Sequence, residues 1–179
     1  KRSPASLTFT SPMNAGATNT TSDNDPIIMN NTGNQAIANG TIQVNATHLK
    51  GELDQNKALY SGNFSIGNFT SGNKEECDVS RNATRMNVTG GGFIGLGGAY
   101  LPRGNFTKED GSAQENLYVC LLQAGSELSQ QSYSTLNTGS WVIKIALVLA
   151  IPGISRRKKK KIKKSKLVRA LALIKEELQ

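Results

Sequence analysis

Thr41-Ile42-Gln43-Val44-Asn45-Ala46-Thr47-His48-Leu49 decides the fold class. Ile42, Val44 and Ala46 fall on one side of an extended chain, and Thr41, Gln43, Asn45 and Thr47 fall on the other. That two-residue period belongs to a strand with one buried and one wet face. Shorter runs of the same kind flank it. Leu7–Thr10 forms a possible strand within a polar region, and Pro26–Met29 is a short apolar run. Asn63–Phe69 places Phe64, Ile66 and Asn68 on one side, and Met86 shares a face with Val88. Phe93–Leu101 is broken by glycine, Asn116–Gln123 is apolar enough for a central strand, and Tyr133–Leu136 and Trp141–Ile145 complete the set.

Turn chemistry separates these runs. Asn30-Asn31-Thr32-Gly33-Asn34 and Asn137-Thr138-Gly139-Ser140 combine residues that tolerate positive φ. No helical period appears before residue 155. The chain has 18 Gly and 10 aromatic residues among 179, a composition that suits short strands and many turns. The expected architecture is an all-β, antiparallel sandwich with a basic, partly helical C-terminal tail. Its parts are a polar strand and loop region over 1–25, a sandwich over 26–146, an apolar stub or part of a short membrane segment over 147–154, and a polybasic amphipathic tail over 155–179.

The segment Pro26-Ile27-Ile28-Met29-Asn30-Asn31-Thr32-Gly33-Asn34, with the alternation that follows it, resembles archaeal and bacterial cell-surface domains of immunoglobulin-like sandwich form. In those domains an Asn-Thr-Gly-Asn turn joins two adjacent strands. Gly139-Ser140-Trp141-Val142-Ile143-Lys144-Ile145 also looks like their final strand. The resemblance covers about a fifth of the chain. It implies an immunoglobulin-like fold and an adhesive, structural or spacer role.

Nine asparagines stand two residues before Ser or Thr with no proline between: Asn19, Asn30, Asn39, Asn45, Asn63, Asn68, Asn82, Asn87 and Asn105. Composition alone would supply about three such tripeptides. Each is an acceptor pattern for N-glycosylation, a modification of exported chains. Asn45 and Thr47 share the expected outward face, where a glycan can stand in water.

The net charge of +8 is unevenly placed. Residues 1–154 carry ten Lys/Arg against 11 Asp/Glu, whereas residues 155–179 carry 11 against two. A nearly neutral main domain gives no electrostatic reason to bind nucleic acid or a highly charged substrate. The basic residues Arg156, Arg157, Lys158, Lys159, Lys160, Lys161, Lys163 and Lys164 are instead expected to contact a membrane surface or an anionic envelope polymer. Leu167, Leu171, Ile174 and Leu178 form one helical stripe beyond them, a candidate surface for a protein partner.

Trp141–Ile154 admits two readings. Fourteen helical residues span about 21 Å, against ~30 Å of hydrocarbon, and Lys144 interrupts them. β-branched Val142, Ile143 and Ile145 suit a closing strand equally well. A crossing would put the tail in the cytoplasm, in keeping with its charge. A closing strand would leave the tail outside. The chain starts at Lys1 with no signal peptide and ends in mid-pattern at Gln179, so either a signal was removed or the chain is a fragment.

Cys77 and Cys120 are the only cysteines, and in an exported domain they are expected to pair, closing a loop of about 44 residues at a gain of ~3–4 kcal/mol. With His48 as the lone histidine they cannot complete a zinc site by themselves. His48 lacks a nucleophile-elbow sequence nearby and reads as an exposed strand histidine. Gly90–Gly98 lacks the Gly-Lys-Ser/Thr of a phosphate loop. Asp23 and Asp25 fail the calcium-loop pattern because Pro26 intrudes, and read as an exposed acidic turn. No catalytic, cofactor-binding or metal-binding residues are assigned. The expected function is a non-enzymatic, membrane-associated cell-surface glycoprotein module for adhesion, envelope structure or ligand display. The alternatives are a sensory or receptor-like ectodomain whose basic tail binds a partner, and a nucleic-acid-binding tail, which the acceptor pattern disfavours.

Overall fold

A computed structural model describes residues 2–4, 6–9, 13–68, 75–81, 83–86, 92–104 and 113–146. The stub at 147–154 and the tail at 155–179, with their expected helix and basic contacts, lie outside the described residues.

Twelve described strands pair antiparallel throughout. The central one is β10 (Gln114–Gln123), which contains the expected Asn116–Gln123 run. Leu117, Val119 and Leu121 point into the core at 0–1 % exposure. One edge of β10 pairs with β3 (Ile27–Asn30) through Gln114–Leu117, and with β2 (Thr18–Thr21) through Cys120, Leu121 and Gln123. Its other edge pairs with β7 (Phe64–Gly67). Strand β1 (Arg2–Ser3) lies outside β3, and β8 (Thr84–Arg85) lies outside β7.

Because β2 and β3 lie in tandem on one edge, a gap in the ladder opens opposite Val119. The connection between them closes it. Ser22 N–H donates to the Val119 carbonyl at 3.1 Å, and Val119 N–H donates to the Asp25 carboxylate at 3.2 and 3.3 Å. A side chain thus supplies the acceptor that a strand would have offered. Asp25 is therefore half-buried and committed to the sheet, which corrects the exposed acidic turn expected there. Asp23 is exposed as expected.

The second group of strands is built on the deciding segment. Strand β4 (Ile42–Asn45) lies between β12 (Val142–Ile145) and β9 (Ile94–Gly95). Strand β5 (Leu49–Gly51) lies between β11 (Tyr133–Ser134) and β6 (Ala58–Leu59). The alternation holds: Ile42, Val44 and Ala46 are 0–3 % exposed, while Gln43, Asn45 and Thr47 are half-buried on the other face. These inward residues join Phe64, Ile66, Met86, Leu117 and Leu121 in one core, so both strand groups bury their apolar faces against each other. Each of these side chains other than Ala46 contributes about 1.5–3 kcal/mol on burial.

Several local expectations fall differently. Residues 7–9 form no strand. Asn24 Oδ1 accepts from Thr8 N–H, Asn24 Nδ2 donates to the Ser6 carbonyl, and the Thr8 carbonyl accepts from Asp23 N–H. With these backbone groups satisfied, Leu7 and Phe9 pack on the core without a ladder. The region 1–25, expected as a polar strand and loop region, contributes β1 and β2 to the large sheet. Strands β3 and β4 belong to different sheets, so the Asn-rich turn between them does not join adjacent strands. Asn31 organises that turn: its Oδ1 accepts from Gly33 N–H, and its Nδ2 donates to the carbonyls of Gln35 and Pro102.

At the other end of the domain, Val142–Ile145 is the closing strand and pairs with β4 along its length. Lys144, the charge within the apolar run, lies exposed with its ammonium 3.4 Å from the centre of the Phe93 ring. Trp141, just ahead of β12, donates its Nε1–H to the Thr47 carbonyl at 2.8 Å and meets the Phe64 ring edge-on at 5.0 Å.

Candidate functional site

Residues of the Asn116–Gln123 run that point away from the core include Cys120. Its Cα lies 5.3 Å from that of Cys77, and the two form a disulfide with an S–S distance of 2.03 Å. Cys77 ends a short 3₁₀ turn, Glu75–Cys77. Ser65 is the β7 residue in register with Cys120, and its hydroxyl donates to the Glu76 carbonyl. The disulfide and the Ser65 hydrogen bond therefore help to hold this turn on the outer face of the large sheet. Glu76 is fully buried beneath it, so that face is covered rather than wet. The next residues form a compact exposed cap. Asp78 accepts from the backbone N–H and hydroxyl of Ser80 and lies 3.3 Å from Arg81. The Ser80 hydroxyl is the main reason its carboxyl sits below the usual range.

The glycan acceptors divide by environment. Asn19 in β2 is exposed, with φ at 48°. Asn39 is exposed in a turn closed by Thr41 N–H donating to the Ala38 carbonyl, with Gly40 at φ 76° supplying the conformation that side chains resist. Asn30 ends β3, Asn45 ends β4, and Asn63 lies in the 3₁₀ turn Ser61–Asn63; all three are half-buried. Asn68 follows β7 and donates through Nδ2 to the Gly98 carbonyl at 2.8 Å. Asn82, Asn87 and Asn105 lie outside the described residues.

The residues considered for chemistry are accounted for by structure. His48 is exposed between β4 and β5, not within a strand. Its Nδ1 accepts from Ser61 N–H at 3.1 Å, and its ring meets Tyr60 edge-on at 5.0 Å. Within the glycine-rich stretch, Gly95 belongs to β9 and Gly97–Gly98 form a turn; Gly90 and Gly91 lie outside the described residues. Among the described residues no three His, Cys, Asp or Glu side chains gather where they could hold a metal ion. Burial pushes the Asp25 carboxyl up, against hydrogen bonds from Ser22 and Val119 that pull it down.

A half-open cavity of about 1060 Å³ lies along the core beside Phe9, Phe64, Leu128, Tyr133 and Trp141. Its inner wall of Val44, Phe64, Ile66, Met86 and Leu121 is only 0–2 % exposed, and among the described residues no Asp, Glu, Lys, Arg or His lines it.

Sequence reasoning did not identify two positions that hold the molecule together. Trp141 ties the last strand to the first of its sheet, and Asn68 ties β7 to the turn after β9. A lone tryptophan ahead of an alternating strand was the available signal for the first. Nothing distinguished Asn68 from the other acceptors except its place on the apolar side of its own strand. No family model, characterised protein or solved structure matches this chain.

Proposed function

We propose that the protein is a non-enzymatic, exported glycoprotein module of the cell surface, in which an immunoglobulin-like sandwich serves adhesion, envelope structure or ligand display. The observation that carries this reading is the Cys77–Cys120 disulfide, because such bonds persist in oxidising compartments. Nine glycan acceptors on the same chain point to the same side of a membrane. Asp25, His48 and Asp78 each accept a hydrogen bond that organises the fold.

The tail is proposed to remain on the side of the sandwich. With Val142–Ile145 committed to a ladder with β4, the apolar stretch left over is 146–154. As a helix it would reach about 14 Å, half of the hydrocarbon thickness. Arg156–Lys164 would then bind anionic lipid or envelope polymer at about 1 kcal/mol per basic residue. The Leu167, Leu171, Ile174 and Leu178 stripe would lie on lipid or on a protein partner. Protease added to intact cells tests this arrangement. Loss of a C-terminal epitope along with the sandwich supports it. Protection of that epitope while the sandwich is digested would establish the receptor-like alternative, in which the tail meets a cytoplasmic partner.

A further inference from the structure

Asn68 matches the acceptor pattern in sequence yet is built into the molecule as a clasp. Its Nδ2 donates to the Gly98 carbonyl at 2.8 Å, across 30 positions of chain. Its Oδ1 is sealed from solvent and has no hydrogen-bond partner among the described residues. Gly98 presses against this oxygen closely enough that a Cβ there would lie 2.6 Å away. A glycosylated asparagine is a secondary amide, and such amides strongly prefer the substituent trans to the chain carbon. That geometry places the first sugar carbon beside Oδ1. The space there is the sealed side of Asn68, so a sugar and the Gly98 contact are mutually exclusive.

Asn39 and Asn19 differ on each point. Both are exposed, and Asn39 projects from a turn closed by backbone alone. We propose that glycosylation is selective: the folded protein carries sugar at Asn39 and Asn19 and none at Asn68, whose amide instead fastens β7 to the Gly97–Gly98 turn. This rests on the exported-glycoprotein reading, and two measurements keep the two claims separable.

The first is site mapping. Protein purified from its own cells is deglycosylated enzymatically in heavy-oxygen water, which converts each occupied Asn to a labelled Asp, and the peptides are read by mass spectrometry. Label at Asn39 and Asn19 with unlabelled Asn68 is the expected result. Label at Asn68 comparable to that at Asn39 overturns the proposal. The second needs no sugar at all. In the unglycosylated full chain, Asn68→Asp keeps Oδ1 but removes the donor and faces the Gly98 carbonyl with negative charge. The folded-to-unfolded ratio is expected to fall by at least about tenfold. Asn39→Asp is expected to change it less than about threefold. Equal, small effects of both substitutions refute the clasp whether or not any acceptor is occupied. Absence of label at every acceptor, with the Asn68 effect intact, would remove the export reading and leave the clasp standing.

Discussion

Replacing Cys77 with Ala is the sharpest perturbation of this fold, because it removes one covalent bond and little else. The bond links residues 43 apart. The chain-entropy relation for a loop of that length gives about 13 cal/mol/K, or about 4 kcal/mol at 25 °C. Cys120 is fully buried and would keep its packing as a thiol, and Ser65 would still donate to the Glu76 carbonyl. The expected loss is therefore about 4 kcal/mol, set mainly by freedom returned to the unfolded chain. For a domain of this size that corresponds to a fall in Tm of roughly 8–16 °C. Urea titration of the oxidised protein, the reduced protein and Cys77→Ala measures it, and the last two should agree. A loss below about 1 kcal/mol, or free thiols titrated in the unreduced native protein, would refute the reasoning.

Asp25→Asn keeps an acceptor for Val119 N–H and removes the titration. The Asp25 carboxyl is raised in the fold, so its favourable contribution is complete below about pH 4 and is lost as pH rises through the folded-state value. Measured by urea midpoint, the variant should gain on the wild type between pH 4 and pH 7, and a constant difference would contradict this. Gly104→Ala should destabilise strongly, by about 3 kcal/mol or more, because a Cβ there runs into the Asn31 carbonyl while Gly104 N–H holds the Gly33 carbonyl at 2.9 Å. A Tm within 2–4 °C of wild type, about 1 kcal/mol, would contradict it. Trp141→Phe should cost about 1–2 kcal/mol by leaving the Thr47 carbonyl without its indole donor, and Trp141→Ala about 3–5 kcal/mol, both read from chemical denaturation.

The parts of this fold that were legible in sequence are those where one residue's burial follows from its neighbours. Ile42, Val44 and Ala46 alternate with polar residues, and a half-buried strand is the only arrangement that shelters all three. The Asn116–Gln123 run is apolar on both faces, and it became central because β3 and β2 cover one edge, β7 the other, and the Cys77 turn its outer face. Sheet membership was not legible. Nothing local tells β3 to pair with a strand 90 residues later instead of with β4, since either pairing buries Ile27 and Met29. Asp25 misled for a related reason: an acidic residue before proline is usually a wet turn, and only the tandem placement of β2 and β3 creates the orphan amide that draws it inward. Leu7–Thr10 has strand composition, but Asn24 takes up Thr8 N–H and the Ser6 carbonyl from the side. The acceptor asparagines look alike in sequence except that Asn68 falls on the apolar side of its run, and in the fold the approach of Gly98 sets it apart.

The central claim is that this chain is folded and carried outside the cytoplasm as a glycoprotein, and its intact mass tests that most directly. Protein purified from its own cells should lose mass in sugar-sized steps on glycosidase treatment. An identical mass before and after treatment would contradict the account.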